Sequence, residues 1–166
     1  MKYSNTLISI EELFRNNTRM LQGRIGAMSK EEALLKKDEV LASINLSRII
    51  FMEPTILFKG RQQTEPRFNP DTLEKSTSTE YVYDVTYQYS GNPILFGYRP
   101  NNFGEVGQIA TPKGNQVLIE IITLCDNQDI VIELANEKMS ATRNLLSQLD
   151  TEISDWYVVV ANSREF

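Results

Sequence analysis

Asp84 and Glu120 stand inside apolar, strand-like runs of the chain. A carboxylate in such surroundings has the chemistry of a general acid, a general base or an oxygen ligand for a hard cation. If the two strands align, the carboxylates meet as an acid/base or cation-binding pair. The plainer reading puts each on a partly wet sheet face or beside an Arg or Lys, because a buried acid without a partner is costly. Other reactive groups are few: the chain has no histidine and one cysteine. That removes Ser-His-Asp and Cys-His nucleophiles, imidazole-ligated metals and thiolate zinc sites built by this chain alone. No P-loop, no GxGxxG after a strand, no EF-hand loop and no paired CxxC occurs. The expectation is a non-enzymatic protein without a cofactor.

The second group with chemical character is the tyrosines. In EYVYDVTYQYSGNP, residues 80–93, every second position from Tyr81 to Tyr89 is large: Tyr81, Tyr83, Val85, Tyr87 and Tyr89. This alternation predicts a strand with one buried face. A packed face with its hydroxyls at the rim is the leading account. A cavity wall, where phenols supply the few placed polar groups of a ligand site, and a subunit interface are the alternatives. Trp156 is read as core, or as an interface anchor. Arg61, Arg67, Arg99 and Phe103 fall in two long polar connections, 61–79 and 99–115, where contacts to a partner commonly reside; solvated loop is the plainer reading of each. Cys125, at a strand end, reads as a small buried hydrophobe.

The elements that must position these residues begin with two helices. Ser9 with Glu12 and Ser29 with Glu32 are capping boxes. Ile10, Leu13, Phe14, Leu21, Ile25 and Met28 form the first apolar stripe, interrupted by Asn17, read as fixing register through an interhelical hydrogen bond. Ala33, Leu34, Val40, Leu41 and Ile44 are expected to face inward from the second helix. RIIFMEPTILFKG, residues 48–60, reads as strand, with Pro54 at an edge, a bulge or a break that would make it two short pieces. The tyrosine strand then turns at SGNP into ILFGY, residues 94–98, as its hairpin partner. QVLIEIITLC, residues 116–125, and IVIEL, residues 130–134, are two further strands around a turn. A final helix from about Asn136 to Ala161, roughly 39 Å long, carries Leu145, Leu146, Leu149, Ile153, Trp156 and Val160; a short buried strand over Trp156 to Val160 is the alternative reading of its end. The expected fold is α+β: two N-terminal helices, a mostly antiparallel sheet of five or six strands, and the long C-terminal helix packed on the sheet.

A chain of 166 residues is long enough for one domain, 1–166, around one core. The net charge of −5 argues against non-specific binding to nucleic acid or anionic membranes. No secretion signal or transmembrane run is evident, which leads to the expectation of a cytoplasmic protein or one assembled in a particle. The function favoured by these features is protein–protein interaction: a structural or assembly subunit of a larger complex, such as a virion or tail component, with protein partners, a second copy of itself being one candidate. The element order is also similar to the helix-grip architecture, in which a curved sheet grips a long helix. That resemblance implies the alternative function, binding of a small apolar ligand between sheet and helix.

Overall fold

In this computed structural model residues 7–104 and 107–163 are described. In chain order they form β1 (Ile8–Ser9), α1 (Ile10–Gly26), α2 (Lys30–Ala42), β2 (Ile50–Phe51), β3 (Thr55–Gln63) and β4 (Arg67–Asn69). There follow β5 (Glu74–Ser76), β6 (Thr79–Ser90), a 3-10 turn at Pro93–Gly97, β7 (Tyr98–Arg99), β8 (Gln116–Thr123) and α3 (Gln128–Asn162). The class is α+β with a mostly antiparallel sheet, as expected, but the described residues form eight strands, several of them two or three residues long.

Both leading helices start where their serines stand. Ser9 accepts from the Glu11 amide and Ser29 from the Glu32 amide, each satisfying a donor that the first turn leaves open. Ile10, Leu13, Leu21 and Ile25 of α1 are buried, with Phe14 and Met28 packed against them. In α2 only the last turn enters the core, through Val40 and Leu41, followed by Ile44. Leu34, expected inside, is 79% exposed, and Leu35 beside it is 85% exposed. Leu34 lies one turn before Lys37, whose Nζ donates to the Ser163 carbonyl, one residue past the end of α3.

The sheet is organised on β6. On one side β2 and β3 pair with it as a single interrupted strand, broken at residues 52–54 around Pro54; proline has no amide to give a ladder. On the other side β8 pairs antiparallel along residues 81–88 of β6. The face carrying Tyr83, Val85, Tyr87 and Tyr89 is buried together with Val117, Ile119 and Ile121 of β8. The N-terminal half of α3 covers that face, and its C-terminal half holds α1: Phe14 and Trp156 stack with ring centroids 5.3 Å apart.

Four expectations are corrected. IVIEL, residues 130–134, is the start of α3 rather than a strand. Asn127 caps the amides of Asp129 and Ile130, and Val131, Ala135 and Met139 then continue one buried stripe at i,i+4. The helix therefore begins eight residues earlier than expected and is about 52 Å long. ILFGY is not a hairpin strand either. Asn92 caps the Ile94 amide, Pro93 sits in the first turn, and a 3-10 turn forms that buries Leu95 and Phe96. The 61–79 connection is no loop, since β3 runs on to Gln63 and β4 and β5 pair beyond it. Cys125 is exposed, because β8 ends at Thr123 and the chain leaves the sheet there.

Gly91 sets the turn after β6. Its φ is +106°, and a Cβ there would stand 2.1 Å from the Arg48 carbonyl oxygen. Next to it Asn92 donates from Nδ2 to the Asn45 carbonyl and from its amide to that of Ser47. The turn is thereby fixed to the segment leaving α2.

Candidate functional site

The tyrosines are positioned by the alternation of β6, and each buried phenol finds an acceptor at the edge of the packed layer. Tyr83 donates to the Asp126 carboxylate, Tyr87 to Asn136 Oδ1 at 2.7 Å and Tyr89 to the Gly114 carbonyl at 2.7 Å. Their rings pack with Phe58, Phe51 and Phe96. The hydrogen bond to Asp126 holds the Tyr83 phenol above its ordinary pKa, with burial adding to it. Burial raises Tyr87, against the opposing pull of the Arg143 guanidinium, and burial alone raises Tyr89. The face is packed with its hydroxyls at the rim. Tyr81, at the margin, is half-buried and has the Arg61 guanidinium 5.4 Å from its ring centroid.

Trp156 lies in the α1–α3 contact. It stacks on Phe14, meets Tyr157 edge-on, and donates from Nε1 to Thr18 Oγ1 at 3.3 Å. Tyr157 itself donates to the Ile44 carbonyl, tying the end of α2 to the same helix. Phe103 is half-buried and packs against the core, whereas Arg99 in β7 is exposed. The structure does not bring Trp156, Arg99 and Phe103 together with Arg61 and Arg67.

Asp84 and Glu120 are direct cross-strand neighbours in the β6–β8 register, on the sheet face turned away from α3. Like charges in that arrangement repel. Lys59, at the bulge of β3, answers this: its Nζ is 3.2 Å from Asp84 Oδ2. Asp84 thus has the cationic partner of the plainer reading, and Glu120 is exposed. Around the carboxylates this face presents Leu57, Leu118 and Ile122, all exposed. Among the described residues no group of three or more His, Cys, Asp or Glu side chains is placed to hold a metal ion.

Arg61 stands at the base of, and Arg67 within, a β-ribbon where a loop was expected. β8 stops pairing at Tyr81↔Thr123, but β3 and β6 go on through Gln62↔Glu80 and Gln63↔Thr79. Thr64 then donates its amide to the Ser78 carbonyl, and Ser78 donates its amide to Thr64 Oγ1. The ribbon continues as β4 and β5, closed by a turn at 69–73 in which Asn69 Oδ1 accepts from the Asp71 amide and Leu73 takes φ +58°. The result is a two-stranded arm, roughly 27 Å long at 3.4 Å per residue. Every residue from 65 to 78 is exposed. Phe68 is 56% and Leu73 76% exposed near its tip. Gln62 to Glu80 and Gln63 to Thr79 are side-chain hydrogen bonds across its base. The signal was present in Asn69-Pro70-Asp71, a turn-forming run between two segments with β-capable residues.

No family model, no curated protein and no solved structure matches this chain. Among the described residues no helix is long and apolar enough to cross a membrane.

Proposed function

We propose that this protein is an interaction subunit of a larger assembly and that the arm spanning residues 62–80 is its docking element. One observation carries the reading: the arm projects past the third strand of the sheet with both faces in solvent. A two-stranded ribbon is at best marginally stable alone and ordinarily needs a third strand or a packed layer. Phe68 and Leu73 add apolar area at the tip that stands exposed among the described residues. A partner that lays a strand or an apolar surface against the ribbon supplies what is missing. Arg61 and Arg67 flank the contact, and a particle component, such as a virion or tail subunit, is one setting for such an arm.

The test replaces residues 65–77 by Asn-Gly, which joins Thr64 to Ser78 through a two-residue turn. The shortened protein should keep its melting temperature, because the removed segment buries no core residue. It should lose the self-association seen by light scattering, or the stable partner recovered by affinity purification from the native source. A full-length protein that is a clean monomer without a partner overturns the proposal. So does a shortened protein that retains every association.

A second reading, small-ligand binding between sheet and helix, is favoured by one observation. An open groove of about 310 Å³ runs between β2 and α3. The buried tyrosines are not among its lining residues.

A further inference from the structure

The helical period places Arg143, Leu146, Ser147 and Asp150 of α3 on one stripe, at i, i+3, i+4 and i+7. Opposite them the chain entering β2 presents Arg48 and Phe51, and the groove lies between the two sets. Its volume of about 310 Å³ is at the lower end of the roughly 300–1,000 Å³ that small-molecule sites occupy.

The charges of the groove are unequally matched. Arg48 faces Asp150, with Nη1 3.8 Å from Oδ2, close enough to balance the charge but beyond hydrogen-bond reach. Arg143 has no carboxylate or carbonyl on its N–H groups among the described residues. Its guanidinium instead lies over two rings, 5.0 Å from the centroid of Phe51 and 5.5 Å from that of Tyr87. Stacking of this kind holds the planar fork in place while leaving its donors open. Glu53 acts on the Tyr87 phenol from outside the lining. The groove itself thus has two cations and one anion, on a protein of net charge −5.

We propose that this groove is a binding site for a small monocarboxylate with an apolar chain or ring. The Arg143 fork pairs with the carboxylate, the arrangement in which arginine donors are best used. Ser147 stands one turn further along α3 with a hydroxyl to give, and Phe51 and Leu146 receive the apolar part. A single carboxylate is specified because Asp150 already offsets Arg48. The inference rests on the second reading above and is independent of the arm.

Hexanoate, hexanol and hexylammonium, titrated into the full chain at low salt and followed by amide chemical shifts, separate the two levels of the claim. Hexanoate should give saturable shifts at Phe51, Leu146 and Ser147, and bind at least about tenfold more tightly than hexanol, with hexylammonium weaker still. Arg143→Gln should abolish that preference, Arg143→Lys should keep part of it, and Asp150→Asn should tighten hexanoate. Equal affinity for hexanoate and hexanol overturns the carboxylate site while leaving an apolar groove. Absence of saturable shifts with all three probes up to about 10 mM overturns both the site and the ligand-binding reading. The comparison of probes on the unmodified protein remains decisive if a variant does not fold.

Discussion

Removing the Tyr87 hydroxyl and removing the whole Tyr87 side chain should have clearly different consequences. Tyr87→Phe deletes one hydrogen bond, to Asn136 Oδ1. Asn136 is exposed, so water takes over the acceptor and no buried group is orphaned. The loss is then that of an ordinary net hydrogen bond, about 0.5–1.5 kcal/mol. Tyr87→Ala also empties the space between β6 and α3. It removes the ring that Phe51 meets edge-on and that Arg143 lies over. Large aromatic truncations in cores cost about 3–5 kcal/mol. For a domain of this size each kcal/mol lowers the melting temperature by about 2–4 °C. The expected drops are therefore about 1–6 °C for Phe and about 6–20 °C for Ala. Tyr89, whose acceptor is the carbonyl of exposed Gly114, should repeat the pattern. Calorimetry gives the midpoints, and urea unfolding checks that the slope is unchanged and the transition still two-state. If Tyr87→Phe falls as far as Tyr87→Ala, the hydroxyl belongs to a closed polar network. If Tyr87→Ala costs under about 1 kcal/mol, the face is not the core, and the packed-layer account of β6 fails.

Gly91→Ala should destabilise by about 3 kcal/mol or more, since the added Cβ meets backbone at a φ that L-residues rarely adopt; a melting temperature within about 2 °C of the parent would contradict the described turn. Alkaline pH should also unfold the protein. The phenols of Tyr83, Tyr87, Tyr89 and Tyr157 have folded-state pKa values above their ordinary 10. The folded state therefore holds protons that the unfolded state has released, and the stability this represents, complete below about pH 10, is lost as pH rises through the folded values. Phenolate absorbance should accordingly rise in step with the loss of circular dichroism; full ionisation of all tyrosines in a folded protein would refute this.

Legibility in the sequence followed the reach of local signals. The serine caps of α1 and α2, the break at Pro54 and the buried face of β6 are all written in spacing a few residues long, and the structure has them. The errors arise where a short apolar run fits two periods. Ile130, Val131 and Ile132 suit a strand until Ala135 and Met139 are added to the stripe and Asn127 is recognised as a cap. The run from Ile94 to Tyr98 behaves similarly: ILFGY looks extended, but the Asn92-Pro93 start winds it into a 3-10 turn. Leu34 goes astray for a different reason, since helical periodicity does not state how much of a helix its neighbours cover, and only the last turn of α2 enters the core. The arm is the instructive omission. Polar composition suggests a loop, yet residues 62–80 pair as two strands that bury nothing, with side-chain bonds such as Gln62 to Glu80 across the base. The groove was invisible because Arg48 and Arg143 are brought together only by the packing of β2 on α3.

The order in which these parts are synthesised has its own consequence. β6 is complete at Ser90, but the half of α3 that covers its tyrosine face ends near Leu145. At about 5–20 residues per second the roughly 55 residues between them take about 3–11 s. Throughout that interval the nascent chain presents Tyr83, Val85, Tyr87 and Tyr89 to its surroundings with their eventual cover still unmade. A chain interrupted before residue 128 would keep that face open permanently.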